Sequence, residues 1–327
     1  MTDSPQLEHH SSLYLDDGNV CLTSGLHDSP SPRPVFRVHK SLLARHSSVF
    51  KDMFALPATD AGDQDQYEGL PLVVMQDHTN GIEALLLALY DRYILPHPPL
   101  DARIPEDVEA VLSMSTKYQV EHIRAVVVEH LETDWPGSLE EWDMIWGATS
   151  PRRVFMPFQA PEPCSIINLA RKYDTPHILP AAFYALSCID LRHEEWDPRG
   201  PSREIDGWRW DSAAQARWSL LSSPDMLTLM KVKDSMRSDL LTPFKINRGP
   251  DAASVCTCGQ TWLDQHCQVS ILVKQRDPLR YLKLLMMAAS STTSIMCAPC
   301  RIAIRDTFIG RRKAIWQSLR EDFDLLE

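Results

Sequence analysis

One run of twenty residues constrains this chain more than any other feature: Val35-Phe36-Arg37-Val38-His39-Lys40-Ser41-Leu42-Leu43-Ala44-Arg45-His46-Ser47-Ser48-Val49-Phe50-Lys51-Asp52-Met53-Phe54. Phe36 and Val38 fall on one face of a short alternating strand, and Leu42 and Leu43 open a short helix. Val49, Phe50, Met53 and Phe54 then recur at helical spacing after Ser47, a good N-cap. A strand feeding two short helices, each with a defined apolar face, is the build of an assembly module rather than of a catalytic one.

The surrounding sequence extends this pattern. Tyr14 to Leu22 reads as a strand with Phe36 to Val38 as its hairpin partner, joined by a Ser/Pro/Gly loop from Gly25 to Pro34. Pro57 to Gly69 is an acidic polar insertion, Leu70 to Met75 a strand, and Asp77 to Asn80 offers caps for a helix with Ile82, Leu85, Leu86 and Leu89 as its buried stripe. Pro105 suits the first turn of the next helix, with Val108, Val111 and Leu112 facing inward. A second helix follows from Val120 to Leu131, and Trp135-Pro136-Gly137 breaks the pattern.

An apolar strand, then His-Lys, Leu-Ala, Ser and a closing Phe-x-x-Met-Phe resembles the core signature of the BTB/POZ domain. Leu15-Asp16-Asp17-Gly18-Asn19-Val20-Cys21-Leu22 looks like that family's first hairpin strand, and Tyr118 to Ile123 resembles the turn between its last two helices. The resemblance implies an α+β fold, in which an N-terminal BTB/POZ fold, a small mixed sheet flanked by helices, is followed by a mainly α-helical C-terminal region. The expected divisions are a flexible N-terminal tail over 1–11, the BTB/POZ domain over 12–134, a helical BACK-like extension over 135–245 and a Cys-containing helical region over 246–327.

Length and charge narrow the classes. At 327 residues the chain exceeds the ~250 at which a single core usually stops growing. A net charge of -11 repels a phosphate backbone, so direct nucleic-acid binding is not expected. The 12 Gly form neither Gly-x-Gly-x-x-Gly nor Gly-x-x-x-x-Gly-Lys, which removes the usual phosphate cradles. Met1 to Ser12 lacks the basic start and apolar run of a secretory signal, and no apolar run approaches ~18 residues. No membrane partner is expected, and the expected location is cytoplasmic or nuclear.

Beyond Pro136 the pattern is helical with interruptions. Lys117-Tyr118-x-x-x-His122-Ile123 and Lys172-Tyr173-x-x-x-His177-Ile178 lie 55 residues apart, each between two apolar helical segments. They are either one helical hairpin repeated or two corners that independently need a Tyr to plug a gap. Ile166 to Leu191 looks like the BACK-type hairpin that often follows a BTB core. Pro224 to Leu241 should be a helix, with Met226, Leu229, Met230 and Lys233 at helical intervals. Trp135, Trp142 and Trp146 read as packing residues rather than a ligand cage.

Five of the eight Cys lie between positions 256 and 300. Cys256, Cys258, Cys297 and Cys300 make the simplest metal set, because paired Cys on two separate turns supply the four ligands a structural zinc needs. His266 or Cys267 could replace one member, and reduced thiols or a redox dithiol are the alternatives. Fungal BTB proteins, which the Lys-Tyr and Trp-Pro punctuation resembles, sometimes end in a Cys-pair and a Trp-bearing helix like Arg301 to Leu319. A four-Cys site is closed to water and substrate, so it would be a structural clip and no cofactor is required for chemistry.

Two further sets concern protein partners. Ile104-Pro105-Glu106 resembles the apolar-x-acid motif by which some BTB adaptors grip a cullin scaffold, with Ile104 filling a shallow pocket and Glu106 pairing at its rim. The same residues equally suit a helix start: Ile104 as staple, Pro105 as first helical residue, and Glu106 and Asp107 against the dipole. BTB domains often pair through the first strand and first helix, which makes Leu13, Leu15, Leu42 and Leu43 the candidate homodimer interface. The family's charged pocket is incomplete here, since Asn19 stands where an acid is expected opposite Lys40, with Asp17 two residues away. His39 and His46 flank the signature helix without a local nucleophile. The sequence therefore points to a non-enzymatic interaction module that self-associates and recruits clients, as a cullin ubiquitin-ligase adaptor or, alternatively, as a transcriptional or chromatin scaffold recruiting corepressors. A zinc-dependent enzyme is the remaining class.

Overall fold

The structure is a computed structural model, and it describes residues 6–26, 32–56, 65–91, 104–146, 162–189, 216–246, 256–272, 274–291 and 296–323. The chain divides into two compact units, which part between His130 and Leu131.

The first unit is built on five strands: β1 (Leu7–Tyr14), β2 (Val20–Leu26), β3 (Arg33–Val38), β4 (Gln66–Tyr67) and β5 (Leu70–His78). Their order is β1-β3-β2-β5-β4. β2 runs antiparallel to β3, with Val20 opposite Val38 and Leu22 opposite Phe36, as the hairpin reading required. It runs parallel to β5, and β1 runs parallel to β3, so the sheet is mixed. Parallel pairs occur where both sheet faces are covered. The central strand shows this directly: Val20, Cys21, Leu22, Thr23 and Ser24 are all buried in succession.

Helices α1 (Lys40–His46), α2 (Ser48–Ala55), α3 (Thr79–Tyr90), α4 (Ile104–Lys117) and α5 (Glu121–Asp134) follow in chain order. Phe36, Leu43 and Phe50 are fully buried, and the Phe50 ring stacks on Tyr118 at 4.6 Å and on half-buried Phe54 at 6.0 Å. Ser47 caps α2 as its sequence position requires: its Oγ accepts from the Phe50 N–H at 3.0 Å and donates to the Tyr118 carbonyl at 2.5 Å. One hydroxyl thus ties the signature helices to the corner after α4.

Three expectations need correction here. The strand read as Tyr14 to Leu22 is two strands separated by a turn, in which the Gly18 N–H reaches the Leu15 carbonyl at 3.0 Å. Gly18 is required there, since a Cβ would fall 2.8 to 2.9 Å from Arg37 and the Val38 nitrogen. β1 then reaches back to Leu7, so residues 7–11 of the expected flexible tail are sheet. The cap residues before α3 also act otherwise. His78 precedes that helix without a side-chain cap, while the Asp77 carboxylate accepts from Tyr118 Oη and Lys117 Nζ, each at 2.6 Å.

The second unit is helical among its described residues. It contains α6 (Leu139–Trp146), α7 (Pro163–Lys172), α8 (Leu179–Ser187), α9 (Ser223–Leu241), α10 (Cys258–His266), α11 (Val269–Leu272), α12 (Pro278–Ser290) and α13 (Ala298–Glu321). Every residue of α8 is buried, the condition of a helix at the centre of a unit rather than on its surface. Trp142 packs on Tyr184 at 5.2 Å and on Trp316 at 5.6 Å, and Trp135 is buried, so both are packing residues as expected. The side chain of Trp146 and residues 190–215, most of the Trp-rich connector, lie outside the described residues. The inner stripe of α9 is Leu229, Val232, Met236 and Leu240; Met230, expected on it, is exposed.

An ion pair between a buried arginine and a half-buried aspartate holds this unit across long sequence distance. Arg312 on α13 makes a bidentate pair with Asp143 on α6 at 2.6 and 2.8 Å, and its Nε donates to the Leu279 carbonyl of α12 at 3.0 Å. Lys283 adds a second cation to Asp143 at 3.3 Å.

The two Lys-Tyr corners share one conformation. After α4, Gln119 takes φ 52° and the Val120 N–H returns to the Ser115 carbonyl; after α7, Asp174 takes φ 50° and the Thr175 N–H returns to the Ala170 carbonyl. Both are Schellman ends with a non-glycine residue in the left-handed position. In each the Lys Nζ lies over the following Tyr ring, at 5.4 and 5.2 Å.

Candidate functional site

The four cysteines selected by their spacing converge. The Sγ atoms of Cys256, Cys258, Cys297 and Cys300 all lie within 4.8 Å of one another. Cys256 to Cys258 is 3.1 Å, Cys258 to Cys297 3.7 Å and Cys256 to Cys297 3.8 Å. Two helix starts bring them together. Cys258 is the first residue of α10, and Cys297 and Cys300 are the N-cap and third residue of α13. Backbone donors serve the sulfurs: the Cys297 N–H points to Cys258 Sγ at 3.4 Å, and the N–H groups of Cys258, Gly259 and Cys300 serve Cys256, Cys300 and Cys297.

Each donor works toward the thiolate, but the balance differs between sulfurs: at Cys256 the Cys258 N–H is outweighed by the neighbouring Cys258 and Cys297 thiols, which raise it. The Cys300 N–H, followed by the Cys300 thiol, holds Cys297 down to about 7, while burial raises Cys300. Gly259 permits the approach of the two turns, since a Cβ there would lie 3.1 Å from Cys300 Cβ and Sγ and 2.9 Å from Ile246 Cδ1. His266 and Cys267 are not members of the cluster. His266 Nδ1 bonds the Trp262 carbonyl at 2.8 Å with the rings stacked at 4.1 Å, and burial pushes the Cys267 thiol up to about 12.

In the first unit, the His39-Lys40 step of the signature is fixed by Tyr90, which sequence reading passed over, and by Asp17 and Asn19, which it named. Tyr90 Oη accepts from the His39 backbone N–H at 2.8 Å and lies 2.9 Å from its Nδ1, while His39 Nε2 lies 3.2 Å from Asp17. Asn19 does not form the family's ionic pair with Lys40. Its Oδ1 accepts from the Lys40 backbone N–H at 2.8 Å, and Lys40 Nζ rests over the Phe54 ring at 5.7 Å. The rings of His46 and His122, from the signature helix and the α4–α5 corner, lie 4.6 Å apart and tilted at 46°, and burial followed by repulsion from His46 lowers His122 below its ordinary value.

Residues 33–134 match the family model of the BTB/POZ domain. The N-terminal region is a BTB/POZ domain. Such a domain is a protein–protein interaction module, and in this chain a mostly helical region follows it. The matched segment begins at β3; β1 and β2 precede it and pair into the same sheet. No curated protein matches the chain.

The residues chosen for partner contacts divide by burial. Leu13 and Leu43 are 2% and 0% exposed and belong to the core of the BTB domain, so neither presents a surface; Leu15 and Leu42 are half-buried. Ile104 is 4% exposed, which corrects its expected role as a protruding anchor. Helix α4 starts one residue earlier than the helix-start alternative had it, with Ile104 its first residue and Pro105 its second, and carries Glu106 and Asp107 in its acidic first turn; Glu106 is exposed. Among the described residues no helix is long and apolar enough to cross a membrane.

Proposed function

We propose that the chain is a non-enzymatic interaction protein that self-associates through its BTB domain and recruits protein clients. The observation that carries this reading is the placement of β1 at one end of the strand order, an edge strand of eight residues. An edge strand offers unpaired N–H and C=O groups as a template for a second chain. Half-buried Leu15 and Leu42 supply apolar area beside the first strand and on the first helix, the elements through which BTB domains often pair.

Leu15→Asp with Leu42→Asp tests this in the full chain. Light scattering should give twice the mass of one chain for the parent and the mass of one chain for the double variant. A parent that is monomeric at every concentration overturns self-association.

The client side divides into a ligase-adaptor role and a corepressor scaffold. Burial of Ile104 leaves Glu106 as the exposed member of the adaptor motif, so the adaptor reading predicts that Glu106→Lys weakens cullin capture from a cell extract. Copurifying corepressor with no cullin supports the scaffold instead. In either role the net charge of -11 assigns any DNA contact to a partner.

A further inference from the structure

We propose that Cys256, Cys258, Cys297 and Cys300 bind one zinc ion as a closed four-thiolate site that clips the start of α10 to the start of α13. The argument rests on how the four sulfurs are spaced and on what surrounds them.

Zinc–sulfur bonds of about 2.3 Å in a tetrahedron set neighbouring sulfurs about 3.8 Å apart. Two of the measured separations are 3.7 and 3.8 Å, the third is 3.1 Å, and no sulfur lies more than 4.8 Å from another. One small ion at the centre brings the four into register with shifts of under about 1 Å. The same spacing is too tight for a multi-iron cluster, whose metals and bridging sulfides would have to fit between the cysteines.

The surroundings fit a thiolate site. Four sulfurs around a divalent ion carry a net charge of about -2, and here two helix N-termini and four backbone N–H groups converge on them. Gly259, where a Cβ would sit 3.1 Å from Cys300 Cβ and Sγ and press that cysteine back, helps the two turns to close this tightly. Binding moves no electrons: each thiol releases its proton to solvent and each sulfur donates a pair to the ion. With four protein ligands no coordination position is left for water or substrate, so the ion is structural.

The site spans an interval well beyond a compact ribbon, with 38 residues between Cys258 and Cys297. Helices α10, α11 and α12 occupy that interval, and the clip closes it as a loop at its base. A metal contact there stabilises by the same logic as a cross-link between distant residues.

The test uses the full chain purified without chelator from zinc-supplemented cells. Elemental analysis should give about one zinc per chain for the parent and for Cys267→Ser, a half-buried thiol outside the cluster, and less than ~0.3 for Cys256→Ser and Cys297→Ser. If a serine variant fails to fold, the parent is stripped of metal and titrated with cobalt. Intense visible absorption of tetrahedral cobalt-thiolate, saturating at one equivalent and reversed by zinc, is the expected result. Fewer than ~0.2 zinc per chain with no cobalt spectrum overturns the proposal, as does iron in place of zinc or a disulfide within the four.

Discussion

Ser47→Ala should be the most informative single change in the BTB domain, because one hydroxyl there serves two helices. Ser47 is 2% exposed, and its Oγ both accepts from the Phe50 N–H and donates to the Tyr118 carbonyl. Loss of an N-cap costs about 1 kcal/mol. Stranding a buried carbonyl costs about 1–3 kcal/mol more, giving a total of about 2–4 kcal/mol. Ser48→Ala is the matched control: it removes an exposed hydroxyl bonded only at the surface to Gln119, and should cost less than about 1 kcal/mol. All nine Trp lie at position 135 or beyond, so Trp fluorescence does not report the first unit, and hydrogen exchange read by mass spectrometry is the suitable assay. Amides of α2 and of the α4–α5 corner should exchange at least roughly 30-fold faster in Ser47→Ala, the factor that 2 kcal/mol sets. Equal exchange in the two variants would refute the assignment of Ser47 as the tie between these elements.

Other outcomes follow from the same structure. Arg312→Met leaves Asp143 with Lys283 alone and strands the Leu279 carbonyl, and should destabilise the helical unit by about 1–3 kcal/mol in urea melts followed by Trp fluorescence, whereas Lys313→Ala, whose partner Glu140 is at the surface, should shift it by less than about 0.5 kcal/mol. The lowered His122 means that the unfolded chain binds its proton more readily than the folded one, so stability from this group is complete above about pH 6.5 and falls as the pH drops through that value; His122→Gln should flatten the dependence in melts run from pH 7.5 to 5.5.

The legibility of this fold in its sequence varies with the range of the interactions involved. Val35 to Phe54 was readable because strand alternation, helical spacing and the Ser47 cap agree over twenty residues, and the structure buries Phe36, Leu43 and Phe50 completely. The paired cysteines were readable because thiols two and three residues apart share a turn, and the fold had only to bring two turns together. β1 was not, since its His9-His10-Ser11-Ser12 centre carries no apolar alternation and the strand buries Leu13 alone. The Asp17-Gly18 turn signal lay inside what looked like one strand. Ile104 was ambiguous for a different reason: a helix staple and a docking anchor both call for an apolar residue before Pro, and only burial separates them. The Arg312–Asp143 pair joins residues 169 apart, and no local pattern announces a partner at that distance. Tyr90 escaped notice because a half-buried Tyr at a helix end looks like packing, although its hydroxyl fixes the backbone of His39.

Light scattering of the purified full chain over a range of concentrations tests most directly that the N-terminal unit assembles polypeptides. A mass of two chains for the parent, falling to one chain in the Leu15→Asp and Leu42→Asp double variant with unchanged exchange protection in β2 and β3, is the predicted result. A parent with the mass of one chain throughout, or a double variant that remains dimeric, would contradict it.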